Sequence, residues 1–190
     1  MELKGSRTEK NLLISFAGES QARNRYSFFA KIAEKEGYHQ VSRIFLETAE
    51  QERIHAKNFF RSLPGGVCEI TATFPSGVLD TTVENLKESI AGEHEENSKL
   101  YPECAQIARD EGFEEIARMF LNIAVAEKYH EARYGKLLKN LQDGKVWKRD
   151  EPVSWTCSKC GFTFDGKEPP GKCPACQHPR EYFTRTCDKF

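Results

Sequence analysis

The sequence predicts a mainly α protein: a four-helix bundle followed by a small C-terminal four-cysteine metal-binding domain. Three observations carry this. Four long stretches show helical hydrophobic periodicity, each closed by glycine or proline. Residues 150–190 hold five of the eight prolines and five of the seven cysteines. A chain of 190 residues suits one domain of about 140 residues with an appendage better than two full domains. The expected division is residues 1–146 and 147–190.

The first helical pattern runs over residues 6–36 and stops at Gly37. The second covers 39–63 and stops at Pro64-Gly65-Gly66. The third covers 81–111, ends at Gly112, and contains Pro102, where a kink or short break is expected because proline lacks an N–H and crowds the preceding turn. The fourth covers 113–142 and stops near Gly144. Short turns at Gly37 and Gly112 make helices one and two, and three and four, antiparallel neighbours. The stretch from Pro64 to Asp80 can return the chain along the bundle.

The two hairpins are copies of each other. Counted from the turn glycines, Ile32-Ala33 matches Ile107-Ala108, Arg43 matches Arg118, Phe45 matches Phe120, Glu52 matches Glu127 and His55 matches His130. Upstream, Ala17-Gly18-Glu19 recurs as Ala91-Gly92-Glu93, displaced by one inserted residue.

The charged members of this repeat lie on the apolar stripes. In helix two the stripe reads Val41, Phe45, Thr48, Glu52, His55, Phe59; in helix four, Ile116, Phe120, Ile123, Glu127, His130, Tyr134, Leu137, Leu141. In helix one, Leu12, Phe16, Glu19 and Tyr26 share a face, and in helix three Leu86, Ile90, Glu93, Leu100, Cys104 and Ile107 do. Glu96 lies one turn beyond Glu93. Five carboxylates in one core repel each other and lose hydration at a cost of several kcal/mol per ion, so cations must compensate. Two divalent ions would supply that charge. One Glu from each of two helices with Glu-x-x-His from each of the others is the donor set of di-iron and di-manganese carboxylate bundles, and the ligand mix suits iron or manganese, with zinc also accepted. His39, His94 and His178 lie off this seam and are read as ordinary residues.

In the tail, Cys157-Ser-Lys-Cys160-Gly and Cys173-Pro-Ala-Cys176 leave twelve residues between the inner cysteines. Paired Cys-x-x-Cys turns present four thiolates tetrahedrally, and about 40 residues bury too little to fold without such a metal. Iron and zinc both accept four thiolates, and on spacing alone a zinc ribbon is the commoner reading. Cys104 reads as a core filler; Cys68 and Cys187 receive no role.

Together these motifs resemble the rubrerythrin family, a ferritin-like bundle fused to a rubredoxin-like domain. The resemblance rests on Gly18-Glu19-Ser20-Gln21-Ala22-Arg23, Gln51-Glu52-Arg53-Ile54-His55, Gly92-Glu93-His94-Glu95-Glu96, Ala126-Glu127-Lys128-Tyr129-His130 and the two cysteine knuckles. It implies a non-haem di-iron site bridged by Glu52 and Glu127, with Glu19 terminal on one iron and Glu93 and His130 on the other. The first iron would exchange Glu96 for His55 on reduction. It shifts the tail metal toward a single iron held by Cys157, Cys160, Cys173 and Cys176. The implied activity is two-electron reduction of hydrogen peroxide to water, a peroxidase fed through the tail by a redox donor protein and ultimately NAD(P)H. Tyr26 is a candidate hydrogen-bond or proton donor, as is Tyr101. A homodimer is implied, in which one chain's tail serves the other's bundle. Gln177 stands where rubredoxins commonly have glycine, which puts one N–H to sulfur contact in question.

The competing reading is a ferroxidase or iron-handling protein whose tail is a structural zinc ribbon. Composition narrows the remaining classes. A net charge of −1 argues against a nucleic-acid binder. A mean hydropathy of −0.65 without a long uncharged apolar run argues against a membrane span. The opening MELKGSRTEKNLL has no apolar run of a secretion signal, so a cytoplasmic location is expected.

Overall fold

The computed structural model describes residues 2–186. Helix α1 (Arg7–Lys35) starts at the Ser6 cap, whose hydroxyl accepts from the Glu9 N–H at 3.0 Å, while the Glu9 carboxylate accepts from the Gly5 N–H at 2.6 Å. It ends in a Schellman motif, with Gly37 at φ +85° and the Tyr38 N–H bonded to the Ala33 carbonyl at 2.8 Å. Helix α2 (His39–Arg61) then runs back against α1.

After residues 62–81, which form no helix or strand, α3 (Thr82–Glu95) begins at the Thr81 cap. It passes without a break through a π-helical turn (Glu96–Leu100) into α4 (Tyr101–Asp110). The irregularity expected at Pro102 therefore takes the form of a π turn just before it. The Tyr101 N–H reaches back five residues to the Glu96 carbonyl. This turn absorbs the one residue by which the repeats differ, so Glu93 keeps its place relative to Gly112. A second Schellman turn at Gly112, φ +88°, leads into α5 (Glu114–Gln142). With α3, the π turn and α4 counted as one long helix, the architecture is a four-helix bundle.

The two hairpins hold each other reciprocally. Glu36, at the end of α1, accepts from the Thr82 N–H of α3 at 3.1 Å. Its repeat equivalent Glu111, at the end of α4, accepts from the N–H groups of Arg7 and Thr8 of α1 at 3.1 and 2.9 Å. Each turn thus supplies an acceptor for orphan N–H groups at the start of the other hairpin, where the helix dipole also favours negative charge.

Two apolar clusters fill the bundle on either side of its middle. One contains Tyr26, Phe29, Val41, Phe45, Leu86 and Tyr134. The other contains Leu12, Phe59, Tyr101, Cys104, Phe120 and Ile123. Cys104 is buried there, as expected of a core filler.

The tail is a three-stranded antiparallel sheet in the order β2-β1-β3, with β1 (Val153–Cys157) between β2 (Thr163–Gly166) and β3 (Phe183–Arg185). Its core is Trp155 and Phe183 packed with Cys157 and Cys173. The tail meets the far end of the bundle, where His39 stacks on Tyr182 with ring centroids 3.9 Å apart. Cys68 is partly exposed, and Cys187 lies outside the described residues. No helix among the described residues is long and apolar enough to cross a membrane.

Candidate metal centres

Midway along the bundle, between the two apolar clusters, each long helix contributes a carboxylate to one buried group. Glu19, Glu52, Glu93 and Glu127 are each 2% exposed or less. Their positions follow from the stripes: a residue three or four places from a core aromatic faces the core too. Two sets of four ligand atoms gather within 4.8 Å: Glu19, Glu52, His55 and Glu127, and Glu52, Glu93, Glu127 and His130. Glu52 and Glu127 belong to both.

The distances radiate from shared centres. His55 Nδ1 lies 2.9 Å from both Glu52 and Glu127 and 3.9 Å from Glu19. His130 Nδ1 lies 2.8 Å from Glu127, 3.1 Å from Glu52 and 3.4 Å from Glu93. Yet Glu19 Oε2, Glu52 Oε1, Glu93 Oε2, both Glu127 oxygens and His130 Nδ1 make no hydrogen bond of good geometry among the described residues. Buried polar atoms that point at each other without bonding are what metal ions would satisfy.

Electrostatics agree. Burial, and then the neighbouring Glu52 and Glu127, push the Glu19 carboxyl well above its ordinary pKa. Burial pushes Glu93 up to about 8, although His130 pulls the other way. Burial opposes charge on the imidazoles, but Glu127 and Glu52 outweigh it and raise His55 to about 10; with Glu93 they raise His130 to about 12. Against its own burial, Glu52 is held down to about 2 by His130 and His55. Without added cations the imidazoles must carry the compensating charge.

Two tyrosines cross between hairpins. Tyr26 on α1 donates to Glu93 on α3 at 2.7 Å, and Tyr101 on α4 donates to Glu19 on α1 at 2.5 Å. Tyr26 follows Glu19 by seven residues and Tyr101 follows Glu93 by eight; the extra residue lies in the π turn. Glu96, at the start of that turn, joins neither four-residue set; burial, then the charges of Glu93 and Glu127, push its pKa well up.

Sequence periodicity had not pointed to two further neighbours. Gln51 Oε1 lies 3.0 Å from His130 Nε2. Asn97 donates to the Glu93 carbonyl at 2.5 Å and to Glu131 at 2.8 Å. Gln51 precedes Glu52 by one residue, about 100° off the stripe, and its repeat partner is Ala126, so neither periodicity nor repetition marks it. His55 lines a cleft of about 560 Å³ together with Ile54, Asn58, Arg118, Met119 and Asn122.

The second centre lies in the tail. Cys157, Cys160, Cys173 and Cys176 gather within 4.8 Å, with Sγ–Sγ distances of 3.7 Å for Cys157–Cys176 and 3.6 Å for Cys160–Cys173. A tetrahedral ion with metal–sulfur bonds of about 2.3 Å gives sulfur–sulfur edges of about 3.8 Å, so the cage fits one. Against the cost of burial, the N–H groups of Cys176 and Ala175 hold the Cys173 thiol down to about 7. The Phe162 N–H reaches Cys160 and the His178 N–H reaches Cys176. Gln177 adopts φ +61°, as Gly161 adopts +78° in the first knuckle, so glutamine takes the left-handed position that glycine commonly fills. His178 stays outside the cage, with Nδ1 3.2 Å from the Cys176 carbonyl, and His94 pairs with Glu131 at the surface.

Comparison with known proteins agrees with both centres. Residues 10–138 match the family model "Rubrerythrin", and residues 155–184 match "Rubrerythrin, rubredoxin-like domain". The chain is 54% identical to the rubrerythrin of Porphyromonas gingivalis, covering 95% of this chain and 90% of that one. It is 53% identical to the rubrerythrin of Nitratidesulfovibrio vulgaris, covering 95% of both. Among solved structures, fully reduced, all-ferrous nigerythrin aligns with a TM-score of 0.64 at 30% identity, over 97% of this chain and 91% of that one. Iron is accordingly the cofactor expected at the carboxylate–histidine site and at the four cysteines. With a ferritin-like bundle and a rubredoxin-like tail in one chain, this protein belongs to the rubrerythrin family.

Proposed function

We propose that this oxidoreductase reduces hydrogen peroxide to water at the bundle site, with electrons delivered through the four-cysteine tail. The observation that carries the reading is the pair of four-residue sets sharing Glu52 and Glu127, in the same chain as a tetrathiolate cage. Two ferrous ions bound there would supply the two electrons that cleavage of an O–O bond needs. Glu52 and Glu127 would bridge them. Glu19 and His55 would complete one ion's ligands, and Glu93 and His130 the other's.

The protein's own contribution is access, protons and ligand choice. The cleft beside His55 gives a small oxidant a way in from solvent. Tyr26 holds a proton 2.7 Å from Glu93, in reach of the reacting centre. Glu96 stands ready as a hard oxygen ligand and His55 as a softer nitrogen one, suited to the oxidised and reduced states respectively.

Electron delivery favours a homodimer. Within one chain the tail meets α2 at His39, thirteen residues from Glu52, or about 20 Å along the helix. Tunnelling falls off steeply over such a span, and a partner's tail at the His55 cleft would shorten it. The physiological setting is peroxide defence in the cytoplasm, with reducing power drawn from NAD(P)H through a redox donor protein.

Metal analysis with stopped-flow spectroscopy tests this. The expected result is about three iron atoms per chain and rapid oxidation of the reduced protein by peroxide. Zinc in the tail, with slow peroxide consumption whatever the reductant, would overturn it in favour of iron handling.

A further inference from the structure

The two imidazoles of the bundle are repeat equivalents, yet they are held differently. His130 is engaged through both ring nitrogens: Nδ1 faces three carboxylates, and Nε2 meets Gln51 Oε1 at 3.0 Å. Its side chain is 3% exposed. His55 turns Nδ1 toward Glu52 and Glu127, but its Nε2 makes no hydrogen bond among the described residues. Its side chain is 13% exposed and lines the open cleft.

The repeat explains the difference. Gln51 stands fourteen residues after Gly37, and the residue fourteen after Gly112 is Ala126. By the symmetry of the hairpins, Ala126 stands toward His55 as Gln51 stands toward His130, and alanine has no side-chain acceptor to offer. A histidine that ligates through Nδ1 must carry its proton on Nε2, and an acceptor at that proton fixes both tautomer and ring orientation. Turning His130 away would leave the Gln51 carbonyl without its partner inside the bundle. Turning His55 breaks no such bond, and the cleft can hydrate its ring.

We propose that Gln51 is a positioning residue that makes His130 the permanent imidazole of the di-metal site, and that alanine at position 126 leaves His55 as the imidazole able to leave it. The inference rests on the di-metal reading above. It assigns the difference in mobility between the two histidines to a single departure from the internal repeat.

Cobalt(II) titration of the full-length metal-free protein, with imidazole nitrogen NMR before metal is added, tests it. Gln51→Leu should weaken one of the two bundle cobalt sites by about 10–100-fold, and Gln51→Glu should restore it. The thiolate charge-transfer bands of the tail should not change. In the metal-free protein, the His130 Nε2 proton should exchange slowly with solvent and that of His55 quickly; Ala126→Gln should slow His55 to match. Unchanged cobalt affinity in Gln51→Leu overturns the proposal, as does unchanged His55 exchange in Ala126→Gln or a wild-type bundle that binds no cobalt. If Gln51→Leu does not fold, the Ala126→Gln measurement decides. Failure to turn over peroxide would remove the proposed function while leaving these results standing.

Discussion

The Tyr26 phenol donates to the Glu93 carboxylate across 2.7 Å between α1 and α3, and this bond both ties the hairpins together and places a proton at the candidate centre. Burial, and then the Glu93 charge, push the Tyr26 pKa well above its ordinary value, so the phenol keeps its proton in the resting protein. Tyr26→Phe removes the proton and little else from a well-packed ring. The expected outcome is unchanged iron content with peroxide oxidation of the reduced protein slowed about a hundredfold. A variant as fast as wild type in single-turnover mixing would leave Tyr26 with packing alone.

Glu96 gives a second prediction. Its carboxyl feels the charges of Glu93 and Glu127 but joins neither four-residue set, so the chain has enough ligands to hold two ions without it. Glu96→Ala should keep its iron while losing about tenfold or more in the rate of the peroxide cycle, because the oxidised state loses its hard oxygen donor. Iron analysis alongside peroxide kinetics separates the two effects. Identical kinetics would remove Glu96 from the cycle.

Glu111 links stability to pH. Against partial desolvation, the Thr8 hydroxyl and the N–H groups of Thr8 and Arg7 hold its carboxyl below the usual carboxylate range. A native pKa below the unfolded one contributes stability that is full above the ordinary value, about 4.3, and is lost as pH falls through the native value. Glu111→Ala should therefore cost about 1 kcal/mol at neutral pH, and the gap to wild type should shrink below about pH 4. Urea melts at pH 7 and pH 3.5 measure this; a gap that widens in acid contradicts it.

Removing the tail metal should unfold the tail alone. Trp155 is fully buried against Cys157 and Cys173, and little else in that small sheet replaces the cage. Cys173→Ser, or chelation of the tail metal, should expose Trp155 and shift its emission to the red while the helical circular dichroism of the bundle persists. Retention of a buried Trp155 in the metal-free protein would mean that the sheet folds unaided.

The helix ends were legible because glycine at a left-handed position is a local requirement, met at Gly37, Gly112 and Gly144. The donor set was legible because period and repeat together mark Glu52, His55, Glu127 and His130 as polar residues on apolar stripes. The π turn was visible only as one surplus residue between Glu93 and Gly112. Its position depends on where the long helix can widen while Tyr101 still reaches Glu19.

Chemical inventory and phase are written in the sequence: which residues share a helix face, which thiolates pair, where each helix stops. These follow from bonded geometry over a few residues. Relations across the bundle emerge with the fold: Glu36 and Glu111 cap each other's hairpins, Tyr26 and Tyr101 cross to opposite glutamates, and Gln51 reaches His130. Such contacts join residues dozens of positions apart, and their geometry is set by how four helices pack around shared buried charge. No local period records that distance.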